Sequence, residues 1–343
     1  KDETTLGSRI AEVHNGSSLF TGDAGQGESN IRRWVIENDW LEAIIALPLN
    51  IFYNTGIATY IWVLTNRKPV HRRGKVQLID ATGWFKSLRK NLGKKNCELS
   101  EDDIKRICDI FLGFEQSEQS KIFPNEALGY WKAVVERPLR LRVDLDKDTL
   151  VRFRKACVTV DDSALADFIE ALGISLGSGP HLDFNHFINL LTDEARNREF
   201  KITAKRQKMI QTELTVKDEQ ARPVIKKKYK PGAAKTDLIH GRFTANIEGK
   251  PVVVEYEPDT DLRDSEQIPL MEVGGIAAFF SREVLPHVPD AWIDESATKI
   301  GYEISFTRYF YKPKPLRTLE EIRTDIVALE KETEGLLNKI ILD

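Results

Sequence analysis

Three apolar runs set the tightest limit on what this chain can become. LEAIIALP (41–48), IATYIWVLTN (57–66) and KVQLIDAT (75–82) are each apolar almost throughout rather than alternating. A strand with one wet face alternates polar and apolar residues, so a continuous run is a strand covered on both faces. All three fall far short of the ~20 residues a helix needs to cross a bilayer, and Pro48 stops the first. RIAEVHN (Arg9–Asn15) reads as a further short strand, leading into the glycine-rich GSSLFTGDAGQGES. In NIRRWVIEND, Ile31, Trp34 and Val35 fall at helical spacing, with Ser29 as the expected N-cap. Strand, helix, strand with short connections is the grammar of an open α/β sheet. Such sheets bind ligands outside the carboxyl ends of their strands. LNIFYNTG (49–56) follows Pro48 at that edge and carries two aromatics, Phe52 and Tyr53, on a loop. Asn54-Thr55-Gly56 is the expected turn that aims it.

Beyond residue 95 the character changes. LSEDDIKRICDIFLGF reads as an amphipathic helix capped by Ser100, and GYWKAVVERPLRLRV as strand and turn. DDSALADFIEALG, LDFNHFINLLTDEARN and ITAKRQKMIQTEL read as helices. A basic stretch, RPVIKKKYKPGAAK (222–235), reads as a linker, and GRFTANIEGKPVVVEYEP as a hairpin turning at Glu248-Gly249-Lys250. In the last segment Leu319, Ile322, Ile326, Leu329, Thr333, Leu336 and Ile340 step by three and four, a coiled-coil seam. Thr318 and Glu321 form a capping box at its start. The expected organisation is 1–95, the later part of an α/β sheet; 96–221, mostly helical; 222–235, the linker; 236–317, a hairpin-containing α+β segment; and 318–343, a docking helix.

A formal net charge of −3 over 343 residues excludes a global electrostatic commitment to nucleic acid and leaves room only for local patches. One such set is Arg222, Lys226, Lys227, Lys228 and Lys230. A solvated linker is its plain reading, and sequence-blind phosphate contact is the rival. Cys97, Cys108 and Cys157 are too few and scattered for a disulfide framework or a tetrahedral metal site. They read as reduced thiols of a cytoplasmic protein, with neither membrane span nor signal peptide. Lys1 is not a start methionine and a strand begins a few residues later, so a cut through a domain is expected.

Several motifs dissolve on inspection. GDAGQG (22–27) fits neither a dinucleotide nor a phosphate loop and reads as a flexible connection. VDLDKDTL spaces Asp144, Asp146 and Asp148 like a calcium loop, but Thr149 and Lys155 stand where glycine and glutamate are needed. Glu255, Glu257, Asp259, Asp261 and Asp264 resemble the carboxylates of a two-metal nuclease; an exposed acidic loop, with Arg263 pairing to its neighbours, is the commoner arrangement. His14 and Asn15 end a strand, where local turn hydrogen bonding is expected. No metal is expected.

GSRIAEVHNGSSLFTGDAGQGESNIRRWVIENDWLEAIIALPLNIFYNTGIATYIWVLTN resembles the modification (M) subunit of type I restriction–modification systems. So do GYWKAVVERPLRL, VVVEYEPDTDLRDSEQIPL, EVLPHVPDAWID and KIGYEISFTRYFYKPKPLRTLEEI. These subunits are adenine-specific DNA methyltransferases that use S-adenosylmethionine. The resemblance implies the carboxyl-terminal part of a class I (Rossmann-like) methyltransferase sheet, then a mostly helical α+β region ending in a long coiled-coil-type helix. An enzyme acting on a base within a duplex must swing it out and hold it against aromatic or apolar side chains. The family's loop between the last two strands supplies that aromatic, which makes Phe52 the first candidate and Tyr53 the second. The implied partners are double-stranded DNA, the specificity (S) subunit on the seam Leu319, Ile322, Ile326, Leu329, Leu336 and Ile340, a second M subunit and the R subunit. Two family motifs are missing: the cofactor loop Asp-Pro-x-x-Gly-x-Gly, and the Asn/Asp/Ser-Pro-Pro-aromatic tetrapeptide that accepts hydrogen bonds from the adenine amino group. None of the 14 prolines is followed by another. The cofactor's main binding loop is therefore absent, and methyl transfer by this chain alone is not expected. The alternative is a non-catalytic truncated adaptor that only binds partner subunits.

Overall fold

The computed structural model describes residues 7–311 and 317–341, with 334–341 by backbone alone. It is a mixed α/β protein with several small sheets. Strand β1 (Arg9–Asn15) is followed by helix α1 (Gly27–Glu37) and by β2 (Leu41–Ala46), β3 (Thr59–Thr65) and β4 (Lys75–Asp80), so the three apolar runs are strands. A hairpin of β5 (Lys86–Leu92) and β6 (Lys95–Glu98), helix α2 (Glu101–Gly113) and β7 (Ser120–Pro124) follow. The five-stranded sheet runs in the order β1-β3-β2-β4-β7. Every residue of β2 is buried, whereas β1 is exposed along nearly its whole length, as an edge strand should be. β2 and β4 are parallel, from Ala43 opposite Gln77 to Ala46 opposite Asp80. The Leu47 N–H bonds to the Thr59 carbonyl (2.9 Å) and the Thr65 N–H to the Trp40 carbonyl (2.8 Å), which sets β3 antiparallel to the segment before it.

The chain divides into two compact units: 1–42, 62–76 and 123–304 in the first, and 43–61, 77–122 and 305–343 in the second. In the first, β8 (Gly129–Glu136) and β9 (Leu141–Val143) lead into four helices: α3 (Lys147–Thr159), α4 (Ser163–Leu176), α5 (Phe184–Asn197) and α6 (Ala204–Leu214). These enclose a core of Phe153, Ile169, Phe187, Leu191 and Ile210. Next come β10 (Thr215–Lys217), β11 (Ile225–Lys228), β12 (Phe243–Ile247), β13 (Lys250–Tyr256), β14 (Asp264–Pro269), α7 (Gly275–Phe279) and β15 (Trp292–Tyr302). β8 is the middle strand of the sheet β14-β8-β15, over which Phe280 and Val284 pack. β12 and β13 form the expected hairpin, with Ile247 opposite Lys250 and both turn residues, Glu248 and Gly249, at positive φ. In the second unit, α8 (Phe306–Phe310) precedes the long α9 (Leu319–Ile341). Its capping box is present: the Glu321 N–H donates to Thr318 Oγ1 (3.2 Å) and the Thr318 N–H to Glu321 Oε2 (2.8 Å). The side chains of Leu336 and Ile340 lie outside the described residues.

Two expectations about these elements need correction. Ser29 does not cap α1. The helix starts at Gly27 after an extended Gln26, and Ser29 is buried on its inner face. That face is Ser29, Arg32, Val35 and Ile36, while Ile31 and Trp34 are exposed. The Arg32 guanidinium organises it by donating to the carbonyls of Tyr302 (2.8 Å), Thr21 (2.7 Å) and Ser18 (3.2 Å), a pattern that apolar periodicity cannot reveal. Within the stretch read as a linker, Ile225–Lys228 is a strand paired with β13, because the β13 edge would otherwise be left unpaired. The acid-rich VDLDKDTL, which is no calcium loop by its sequence, opens α3: Asp146 accepts from the N–H groups of Asp148 (2.9 Å) and Thr149 (3.1 Å) as an N-cap.

Candidate functional site

The loop after β2 is shaped by where its backbone can and cannot be regular. Pro48 has no N–H to extend the ladder. Asn50 and Asn54 both sit at positive φ, +58° and +55°, a region that asparagine tolerates better than most residues. The Phe52 carbonyl accepts the Thr55 N–H at 3.3 Å, closing a turn with Tyr53 and Asn54 at its centre. The turn thus lies slightly before the expected Asn54-Thr55-Gly56. Ile51 is buried and anchors the loop, while Phe52 is 38 % and Tyr53 67 % exposed. Two aromatic rings therefore stand out from the carboxyl end of a buried strand.

The hairpin β5–β6 holds this loop from one side. The Asn96 N–H donates to the Asn50 carbonyl (3.1 Å), and the buried Cys97 thiol donates to the Leu49 carbonyl (3.2 Å). Burial pushes the Cys97 pKa up, partly offset by Lys95, which keeps the thiol a donor. At the hairpin tip, Gly93 (φ +61°) lies so close that an added Cβ would stand 2.2 Å from Asn54 Oδ1 and 3.2 Å from Tyr53 Cε2. Beside the loop opens a cleft of about 500 Å³ lined by Leu49, Asn50, Thr82, Phe85, Asn91 and Asn96. Amide side chains can hydrogen-bond a base edge, and exposed aromatic faces can stack on one. Asp80, at the end of β4, accepts from the Thr82 N–H (3.0 Å) and hydroxyl (2.5 Å), so it orders the following turn. These groups are suited to holding a planar ligand. Asn50, Gly93 and Cys97 escaped the sequence reading; the one signal for them was the Gly-Lys pair within LRKNLGKKN, a hairpin turn.

The other candidates separate cleanly. Arg222, Lys226, Lys227, Lys228 and Lys230 are all exposed. Arg222 donates to Asp183 (3.1 Å), and Lys227 lies 4.4 Å over the Tyr229 ring. Arg222 and Lys228 share a cleft of about 830 Å³ with Asp183, Asn185, Glu248 and Tyr256. In the acidic segment, Asp259 is buried and Lys217 bridges it to Asp261. Glu255 accepts the Tyr229 hydroxyl. Arg263 pairs with the buried Glu136 of β8 rather than with its sequence neighbours. Among the described residues no group of His, Cys, Asp or Glu could hold a metal ion. Asn15 caps a short 3₁₀ turn through the Ser17 N–H (3.1 Å), while His14 packs edge-on against Trp62. In the loop 22–27 both oxygens of Asp23 accept from Lys132 at 2.7 Å. All three cysteines are free, and no described helix is long and apolar enough to cross a membrane. On α9, Leu319, Ile322, Ile326 and Leu329 are exposed.

Comparison with known proteins places the aromatic loop in context. Residues 3–132 match the family of N-6 DNA methylases. The chain is 38 % identical over 95 residues to the type I restriction enzyme MjaIX methylase subunit of Methanocaldococcus jannaschii, a match covering 28 % of this chain and 16 % of that protein. It is 35 % identical over 114 residues to the HindI methylase subunit of Haemophilus influenzae, covering 32 % and 23 %. The chain therefore spans less than a quarter of the length of these relatives. A solved methyltransferase subunit of a type I system from Streptococcus thermophilus is 28 % identical over 35 % of this chain and 24 % of its own, with a TM-score of 0.30, too loose a superposition to bear on the fold.

Proposed function

We propose, for a chain whose residues 3–132 belong to the N-6 DNA methylase family and whose relatives are methylase subunits of type I restriction enzymes, that it works as part of such a subunit and completes its base-binding site. The parent enzyme transfers a methyl group from S-adenosylmethionine to the amino group of adenine in duplex DNA. The sheet β1-β3-β2-β4 is read as the later strands of a class I methyltransferase sheet. The observation that carries this reading is the position of the family match: it encloses a loop that presents Phe52 and Tyr53 at a strand's carboxyl end.

Phe52 stacks on the extruded adenine, with Tyr53 at the tip as the second contact. Such stacking is worth roughly 1–3 kcal/mol per base. S-adenosylmethionine would supply the electrophilic methyl group. The residues present do not fit its main binding site, since neither the Asp-Pro-x-x-Gly-x-Gly loop nor a Pro-Pro-aromatic motif occurs among these 343 residues. Those parts must come from sequence outside this chain, so the chain alone transfers no methyl groups. Methyl transfer to DNA with labelled cofactor tests this directly: no incorporation by the chain itself, and incorporation once the sequence upstream of it is joined. Adenine modification by these residues unaided would overturn the reading.

Docking on the S subunit falls to α9, whose Leu319, Ile322, Ile326 and Leu329 stand exposed. Apolar area of this kind, buried at about 25 cal/mol per Å², holds helices together. Ile326→Asp with Leu329→Asp should release the S subunit in a pull-down; a complex that survives both changes gives the seam another use. The basic set 222–230 would add phosphate contacts, and Arg222→Gln with Lys228→Gln should then weaken duplex binding uniformly across sequences. Unchanged affinity would remove it from the interface.

A further inference from the structure

The hairpin 86–98 carries Lys86, Arg89, Lys90, Lys94 and Lys95 against a single acid, Glu98. Lys86, Arg89, Lys90 and Lys94 are exposed and Lys95 is half-buried. Among the described residues none of the five enters an ion pair, whereas Arg222 and Lys217 elsewhere are neutralised by aspartates. Unpaired cations crowded onto thirteen residues repel one another, and solvation alone gives no reason to concentrate them on the one ribbon that grips the aromatic loop. The register explains how they are displayed. Ser87 faces Cys97 and Leu92 faces Lys95, so the four residues Leu88 to Asn91 oppose Asn96 alone. Asn96 spends its N–H on the Asn50 carbonyl instead of on β5. The unmatched residues form a wide bulge, which bends and twists a ribbon. Arg89 and Lys90 lie in that bulge and Lys94 at the tip, beside Gly93 where Tyr53 and Asn54 pack.

We propose that this ribbon is a contact surface for the sugar–phosphate backbone of duplex DNA, with Arg89, Lys90 and Lys94 gripping the phosphates that flank the base presented to Phe52. The assignment rests on the base-binding role given to the loop above. A two-stranded ribbon fits the major groove of B-DNA, about 12 Å wide. Phosphate contacts carry no sequence information but fix register. Fastened to Leu49 and Asn50, the ribbon would set the distance between the backbone and the stacking ring.

The test is equilibrium binding of this chain to a fluorescent duplex across a salt series. Each phosphate contact contributes about 0.9 to the slope of log affinity against log salt. Arg89→Gln, Lys90→Gln and Lys94→Gln together should flatten the slope by about 3. The charge-preserving set Arg89→Lys, Lys90→Arg and Lys94→Arg should keep it and guards against misfolding as an explanation. An equal slope in the neutral variant, or no duplex binding by the unaltered chain, overturns the proposal. A duplex with 2-aminopurine at the target position separates the two ideas. A Phe52-dependent rise in fluorescence with an unchanged slope in the neutral variant removes the ribbon alone. A ribbon-dependent slope without that fluorescence removes the stacking loop and leaves the ribbon as a DNA contact.

Discussion

Gly93→Ala probes the fastening between hairpin and loop. Gly93 has φ +61°, and a Cβ there would stand 2.2 Å from Asn54 Oδ1, about 1.2 Å inside the 3.4 Å at which ordinary contact begins. The left-handed backbone alone costs an L-residue roughly 1–2 kcal/mol. The clash adds an overpacking cost of about 1–3 kcal/mol unless the loop moves. The cheaper outcome is movement, because the colliding group belongs to an exposed turn, so the loss should divide between strain and displacement of Tyr53 and Asn54. Hydrogen exchange read by mass spectrometry over residues 47–58 should rise markedly in Gly93→Ala, with the Asn96 amide losing protection as its bond to Asn50 opens. Gly74→Ala is the control: φ is +67° there too, but nothing lies within 4 Å of the added carbon. That variant should lower stability while leaving exchange in 47–58 untouched. Equal exchange in this loop for Gly93→Ala and the unaltered chain would show that the hairpin tip does not position the aromatic turn.

Two further outcomes follow from paired charges. Glu42 is 1 % exposed and lies 3.5 Å from the buried Arg72, its other partner being the half-exposed Arg9. Removing one member of a buried pair costs about 3–5 kcal/mol, so Arg72→Met should lower the urea-unfolding free energy by about 3 kcal/mol, less whatever Arg9 recovers; a loss below about 1 kcal/mol would mean that Glu42 is held by other groups. Asp162 accepts two bonds of 2.7 Å from Arg206, and this pairing, opposed by some burial, holds its carboxyl below the ordinary 3.8. A depressed carboxyl stabilises the fold fully above its unfolded value and loses that contribution as pH falls below 3.8 through the folded value. The unaltered chain should therefore lose more stability than Asp162→Asn as urea-unfolding midpoints are followed downward through that window, and parallel curves would refute the linkage.

What could be read in advance divides along physical lines. The apolar runs of β2, β3 and β4 announce themselves because a strand covered on both faces needs no polar residue. The Ser100 and Thr318 caps are equally legible, being local hydrogen bonds between residues three apart. The cap and inner face of α1 are not legible, because that face turns on Arg32, whose carbonyl partners lie as far away as Tyr302. β11 was hidden because a lysine-rich run becomes a strand only when β13 offers it an edge. At the site, Phe52 and Tyr53 were visible as aromatics out of place. Gly93 and Cys97 were not, since their meaning lies in backbone carbonyls and side chains some 40 or more residues away.

The most direct measurement is single-turnover methylation of duplex DNA by an assembled methylase carrying this sequence, comparing Phe52→Ala and Phe52→Trp with the unaltered loop. A stacking contribution of about 1–3 kcal/mol corresponds to a rate roughly 5- to 150-fold lower for the alanine variant. Tryptophan should restore most of that rate, with subunit assembly unchanged in both. An alanine variant that methylates adenine as fast as its parent would contradict the account.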